Sequence, residues 1–239
     1  MKTIKNEKLI KRNGKIGGYA SLAGISLVGA ALYFYTQAIL QKNLENVNTT
    51  LLMVLTFGGL LVSQVGMYMS NKFGRSPRPD EKLDMGLKGL PNEFTIYHYS
   101  TPVSHLLIGP AGVWVLLPYH QAGEITFKKN RWRNSGGGFM RSYMRIFGQE
   151  GLGRPDIEVD SEVQTLKKYL SRKMDESEIP EINALMVFTD DNVQLDAEGA
   201  PVPAMLLKQI KDFIRQKAKE KKISAEAINQ IKAVLEKEG

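Results

Sequence analysis

Between Lys15 and Lys42, and again between Glu45 and Lys72, the chain runs for 26 residues without a formally charged side chain, and both runs consist mainly of apolar and small residues. At about 1.5 Å of rise per residue, each run gives a helix of about 39 Å, enough to cross a hydrocarbon core of about 30 Å with some tilt. Beyond residue 80 the pattern changes to short alternations. Leu83, Leu87 and Leu90 recur at helical spacing before Pro91. Residues 94–99, 104–109 and 113–119 are rich in Ile, Val, Leu and aromatics, are separated by Pro and Gly, and read as strands, with 124–129 as a further hairpin strand. Val159, Val163, Leu166, Leu170 and Met174 step by three and four along a helix that starts at Asp156 or Asp160, and 184–189 forms another strand. Two amphipathic helices close the pattern, over 203–219 and over 225–238 with Ser224 as cap. The predicted order is α, β, β, β, β, α, β, α, α, an α/β domain around a mixed sheet, preceded by a two-helix transmembrane hairpin.

These elements divide the chain into a basic tail (1–15), a hairpin (16–71, spans about 17–40 and 50–70), a linker (72–79) and a domain (80–239) with a helical extension from about 220. Arg75, Ser76, Pro77, Arg78 and Pro79 make the linker extended, because proline disfavours helix at the preceding residue. The average composition, 43% hydrophobic and 24% charged, resembles that of a soluble protein only because two very apolar segments are averaged with a polar remainder. The first run exceeds the apolar core of a cleavable signal, about 7 to 15 residues, and a second span follows, so both are expected to be retained. Neither span carries the ionisable residues that line ion paths, which predicts an anchor rather than a transporter. Gly58, Gly59 and Gly66, with Ala20, Gly24, Gly29 and Ala30, predict close helix packing.

Charge then orients the hairpin. Lys2, Lys5, Lys8, Lys11, Arg12 and Lys15 precede the first span and Lys72, Arg75 and Arg78 follow the second, whereas the turn carries only Lys42 and Glu45. The positive-inside rule therefore predicts a two-pass protein of the cell membrane with both termini and the soluble domain in the cytoplasm. The absence of cysteine excludes disulfides, thiolate zinc sites and a cysteine nucleophile.

The run Ser-His-Leu-Leu-Ile-Gly-Pro at 104–110, Gly-Val-Trp-Val-Leu-Leu at 112–117, the stretch from Gly123 to Trp132, and Leu185 to Thr189 resemble the nuclease-related domain family, NERD, over roughly residues 80 to 215. The resemblance implies the αβββαβ core of restriction-type nucleases, in which an Asp at one strand and a Glu-x-Lys on the next hold Mg²⁺ and steady the attacking water. Carried over residue by residue, the Asp falls on Ser104, the Glu on Leu117 and the Lys on Tyr119, so all three positions are changed. The family's helix glutamate falls on Glu81, and its later Asn-Pro-x-x-Gln reads Arg154, Pro155, Asp156, Ile157, Glu158. The expectation is a degenerate, catalytically inactive domain, acting as a cytoplasmic binding or scaffolding module without cofactor. Two alternatives stand beside it: a membrane-tethered Mg²⁺-dependent nuclease with a rearranged site drawing on Glu81, Glu124, Lys128 or His120, and a structural protein that self-associates into homo-oligomers.

Residues 128–154 carry Lys128, Lys129, Arg131, Arg133, Arg141, Arg145 and Arg154 against Glu150 alone, interleaved with Trp132, Phe139, Tyr143 and Phe147. Arginines among aromatics suit phosphates and stacked bases, and the same loop suits anionic lipid head groups. A solvated loop is the plain reading, and the net charge of +7 is explained by membrane topology first. The glycines at 136–138 lack the Lys-Ser/Thr ending of a phosphate loop. His98, His105 and His120 lack the spacing of a metal site, and His105 is expected to pack or hydrogen-bond within its strand.

Overall fold

A computed structural model describes residues 1–42, 45, 47–135, 152–220 and 223–236. The chain forms two compact units, one of Glu7–Arg78 and one that joins Met1–Asn6 to Pro79–Gly239.

The first unit is a helical hairpin. Helix α1 (Glu7–Leu40) and helix α2 (Thr49–Met69), the latter continued by a π-helical turn at Ser70–Gly74, are long and apolar enough to cross a membrane. Asn48 caps α2, its Oδ1 accepting from the Leu51 amide at 2.9 Å. The buried residues of α1 are Ile10, Gly17, Gly24 and Ala31, one every seven positions, and α2 answers with Gly59 and Gly66 at the same interval. A seven-residue period keeps one seam of each helix on its partner. A methyl group on Gly17 would lie 2.6 Å from the Ser70 nitrogen and one on Gly59 2.8 Å from the Gly24 carbonyl oxygen, while Gly24 and Gly66 face the Ser63 and Ser21 backbones still more closely. Gly24, Gly59 and Gly66 therefore sit at the contact as expected. Gly29 and Gly58 do not, because one or two steps along a helix rotates a residue off the seam, and a methyl group there meets nothing within 4 Å.

The second unit is a mixed α/β domain. A six-stranded sheet has the order β1-β2-β3-β4-β7-β9. Its strands are β1 (Lys2–Lys5), β2 (Thr95–His98), β3 (His105–Gly109), β4 (Gly112–Tyr119), β7 (Ile182–Phe188) and β9 (Ala204–Leu206). β2, β3 and β4 form an antiparallel meander, β1 adds parallel to β2, and β7 and β9 continue in parallel beyond β4. A second, three-stranded sheet is formed by β6 (Arg131–Ser135), β5 (Gly123–Lys128) and β8 (Val193–Asp196) in that order. The helices are α3 (Pro79–Leu87), α4 (Pro155–Leu170), α5 (Ile210–Glu220) and α6 (Ala225–Glu236).

Strand alternation splits the core in two. Ile96, Leu107, Trp114, Leu116, Leu185 and Val187 pack with Leu83 and Leu87 of α3 and with Ile210 and Ile214 of α5. Tyr97, Leu106, Ile108, Val115, Leu117 and Phe188 pack with Leu166 and Leu170 of α4 and with Ile231 of α6.

The structure departs from the sequence reading in four places. Residues 1–15 are not a tail: Lys2–Lys5 form a strand of the domain and α1 begins at Glu7. β8 and β9 are additional short strands, and the segment expected as one helix from Pro203 starts with β9 and a 3-10 turn before α5. β6 extends the expected loop region into a hairpin, closed by Lys129 and Asn130 at φ 52° and 57°, a left-handed pair suited to a two-residue turn. The linker is shorter than expected, since α3 starts at Pro79.

Candidate functional site

The three positions that the resemblance assigns to catalysis lie at one end of the central meander. Ser104 immediately precedes β3, whose ladder with β4 runs from Leu106–Val115 to Gly109–Gly112, and Leu117 lies two residues beyond Val115 on β4. Leu117 is buried in the core. Tyr119, two residues on and on the same face of β4, stacks on Phe188 with ring centroids 5.6 Å apart. Its hydroxyl donates to Glu158 Oε2 at 2.7 Å. Burial, reinforced by this carboxylate and by the charges of Glu162 and Asp156, pushes the Tyr119 phenol well above its ordinary range, so it stays a neutral donor. Glu158 occupies the position of the family's later Gln, in the first turn of α4. A hydrophobic side chain and a hydroxyl–carboxylate pair thus stand where the chemistry would require a metal-holding carboxylate and a lysine.

The residues considered for a rearranged site lie on separate elements. Glu81 is half-buried on α3, and His120 is exposed just beyond β4. Glu124 on β5 accepts from Ser135 Oγ at 3.1 Å, and Lys128 at the end of β5 pairs with Asp196 at 3.4 Å. Among the described residues, no three His, Asp or Glu side chains group as metal ligands.

Of the basic candidates, Lys128, Lys129, Arg131 and Arg133 lie on the β5–β6 hairpin, whereas Arg141 and Arg145 lie outside the described residues. Register puts Arg131 directly opposite Lys128 and Arg133 opposite Thr126, so both arginines share the exposed face of the small sheet with Lys128. Trp132 points the other way, toward Phe127 and Phe188 at 5.2 and 6.4 Å. Opposed like charges cost stability on a sheet, and Asp196 beside Lys128 offsets part of that cost.

The densest polar constellation was not foreseen. Lys5 Nζ lies 3.0 Å from Asp80 Oδ2 and 2.6 Å from Asp84 Oδ2. Asp84 Oδ1 meets His98 Nε2 at 3.1 Å, and His98 Nδ1 meets His105 Nδ1 at 2.8 Å. Asp80 and His98 are wholly buried, and His105 nearly so. Burial disfavours the charged form of Lys5, but Asp84 and Asp80 outweigh it and hold the ammonium above its ordinary 10.5. Burial likewise works against the Asp84 carboxylate, and His98 and Lys5 more than compensate, holding it below 3.8. Tyr99, at φ 55°, presents its ring edge-on to His105 at 4.8 Å and donates its amide to the Ser104 carbonyl at 2.9 Å. A positive φ on so bulky a residue is strained backbone, held by that hydrogen bond and by burial.

The signal for the histidine pair was present in the hairpin itself. Strands at 94–99 and 104–109 paired end to end bring His98 opposite His105, the register observed. Spacing along the chain, which tests for neighbours on one helix or one strand, does not detect a pair formed across two strands. Two surface hollows, about 620 Å³ beside Lys173 and Gln230 and about 510 Å³ beside Trp114 and Lys217, are lined by none of these candidate residues. No family model, curated protein or solved structure matches the chain.

Proposed function

We propose that the protein is a two-pass membrane anchor displaying a cytoplasmic, catalytically degenerate NERD-like domain, which acts as a binding module for phosphate-bearing ligands. The order α3-β2-β3-β4-α4-β7, with an antiparallel meander and a parallel fourth strand, supports an αβββαβ core of the restriction-nuclease kind. The observation that carries the non-catalytic reading is Tyr119, packed on Phe188 and bonded to Glu158 beside a buried Leu117. No metal charge balance arises from that set, because a leucine offers no ligand and a tyrosine no ammonium. Binding is assigned to Lys128, Arg131 and Arg133, whose common exposed face presents cationic donors to phosphate oxygens. Topology follows from the charges flanking the hairpin. It agrees with β1 and the rest of the domain sharing one sheet on either side of α1 and α2, which requires an even number of crossings.

The test uses the full chain in nanodiscs, incubated with single- and double-stranded DNA and RNA in Mg²⁺ or Mn²⁺ against EDTA. The expected result is binding without metal-dependent cleavage, weakened by salt and by the pair Arg131→Glu and Arg133→Glu, with the salt slope falling by about one for each arginine lost. Anionic vesicles presented to the full chain form a parallel arm that separates lipid head groups from nucleic acid. Cleavage abolished by EDTA and by Glu81→Ala sinks the non-catalytic reading. A fragment starting at residue 76 is unsuited to this assay, because it lacks β1 and leaves Asp80 and Asp84 without Lys5.

A further inference from the structure

The first turns of α1 carry Lys8, Lys11, Arg12 and Lys15. Their spacing puts all four on one face of the helix, with neighbours three and four residues apart about 5–6 Å from each other at Cβ. The face continues with Tyr19 and Leu22, four and seven residues beyond Lys15. All six are exposed, Tyr19 by 72% and Leu22 by 64%. Gly14 and Gly17 turn the other side of the same turns toward the end of α2. A methyl group on Gly14 would lie 3.0 Å from the Phe73 carbonyl oxygen, and one on Gly17 2.6 Å from the Ser70 nitrogen.

The hairpin does not neutralise these cations itself. Its carboxylates are those of Glu7 and Glu45 alone, and Glu45 follows the far end of α1. Within the described part of the hairpin, Lys8, Lys11 and Lys15 make no ion pair, and Arg12 Nε meets the Asn13 Oδ1 at 3.4 Å. Like charges three and four apart on a helix repel, and a Debye length of about 8 Å at physiological salt exceeds their spacing. Lys72, at the same end, is placed differently, its Nζ lying 6.0 Å from the Tyr68 ring centre and 5.6 Å from that of Phe73.

We propose that Lys8, Lys11, Arg12 and Lys15 form a binding face for the phosphate of an anionic phospholipid, whose acyl chains lie along Tyr19 and Leu22. This inference rests on the hairpin being a membrane anchor, and it names a lipid contact separate from the phosphate-binding face of the β5–β6 hairpin.

The order of residues along the face matches the order of layers in a leaflet. Tyrosine sits at the head-group level, so Tyr19 marks the acyl boundary and Leu22 lies below it. From Lys8 to Lys15 the axis rises about 10 Å, which carries the cations outward across the head groups. Positive charge ahead of a span is enough to orient it. Orientation does not require the charges to share a face, nor that face to run into exposed apolar surface. A lipid phosphate meets both conditions at once: it supplies the missing counter-charge, and its own chains cover the apolar continuation.

Native mass spectrometry of the full chain in a zwitterionic detergent, titrated with phosphatidylglycerol or phosphatidylcholine of the same acyl chains, tests the face. The first phosphatidylglycerol is expected to bind at least about tenfold more tightly than phosphatidylcholine, and equal affinities overturn the proposal. Lys11→Gln with Lys15→Gln is expected to weaken phosphatidylglycerol about 25-fold, about fivefold for each cation, while Lys11→Arg with Lys15→Arg retains it. Lys72→Gln with Arg75→Gln removes the same charge from the same end and is expected to leave the preference standing. An equal loss in that pair reduces the effect to bulk charge and overturns the proposal. The preference is also expected to survive Arg131→Glu with Arg133→Glu, and its disappearance there moves the lipid site to the β5–β6 hairpin. Full displacement of the lipid by excess inorganic phosphate or by an oligodeoxynucleotide assigns the face to a soluble phosphate and overturns the lipid reading. Flotation with phosphatidylcholine vesicles after alkaline extraction separates the two levels of the argument. A chain that stays with the vesicles but shows no preference for phosphatidylglycerol loses this proposal alone, whereas a chain that is stripped off loses the anchor as well.

Discussion

The hairpin and the domain use the same apolar residues in opposite places. In α1 and α2 the contact is made by glycines, and Leu22, Leu32, Phe57 and Leu61 point outward, each between 63% and 69% exposed. In the domain the large side chains are inside, with Leu106, Leu107, Ile108, Leu166 and Phe188 fully buried. The difference is the one expected between helices long and apolar enough to cross a membrane and a domain folded in water. In water, burying a large apolar side chain is the driving force, so it goes to the core. Against lipid tails that force vanishes between helices, and close backbone approach through small residues takes over. Titratable groups follow the same division: the domain buries a Lys–Asp–His network, while the apolar stretches of the hairpin contain no Asp, Glu, Lys, Arg or His.

This contrast breaks most visibly at Gly66. Gly66→Leu, at a site where even a methyl group meets the Ser21 backbone, is expected to force the helices apart at a cost of at least about 1–3 kcal/mol. Gly58→Leu, eight residues earlier and facing open space, is expected to leave the hairpin unchanged. Spin labels on introduced cysteines, one in each helix, read the separation cleanly because the chain has no cysteine of its own. Next comes Leu107→Ala, with an expected loss of about 2–5 kcal/mol in denaturant unfolding of the domain and no change in the inter-helix distance.

Smaller effects sharpen the comparison inside the domain. Tyr119→Phe removes one hydrogen bond to Glu158 and should cost about 1 kcal/mol in the same unfolding measurement, without altering any nuclease assay. The Lys5–Asp84 pair gives a pH prediction with a defined sign. Asp84 is held below 3.8, so its contribution is present above that value and lost as pH falls through the lowered one. Lys5 is held above 10.5, so its contribution is full below that value and lost as pH rises through the raised one. Asp84→Asn is therefore expected to remove part of the acid-side loss of stability, measured by unfolding between about pH 2 and 5.

The hairpin and the meander were legible because their patterns are long or repeated: 26-residue uncharged runs, and three adjacent segments of β-branched and aromatic residues. β1 was not, because Lys-Thr-Ile-Lys is too short and too charged to show alternation and its partner begins at Thr95. The same basic residues fit a topogenic signal, so Lys5 was read for its charge and not for its two aspartates. β9 merged into the following helix because Ala204, Met205 and Leu206 suit either state and only pairing with Met186, Val187 and Phe188 decides. At the site, the substitutions at Ser104, Leu117 and Tyr119 were readable from the resemblance, but the Tyr119–Glu158 bond joins residues from β4 and α4 that no local pattern connects.

The domain's first strand comes before the hairpin and its remaining elements after it, and Lys5 reaches Asp80 across 3.0 Å. The points where the polypeptide leaves the domain and re-enters it are thus within side-chain reach. In engineering terms the hairpin is a segment that leaves the domain and returns to it at neighbouring points. Replacing residues 7–78 by a short glycine-rich connector would excise it and keep every described strand of the domain in one chain.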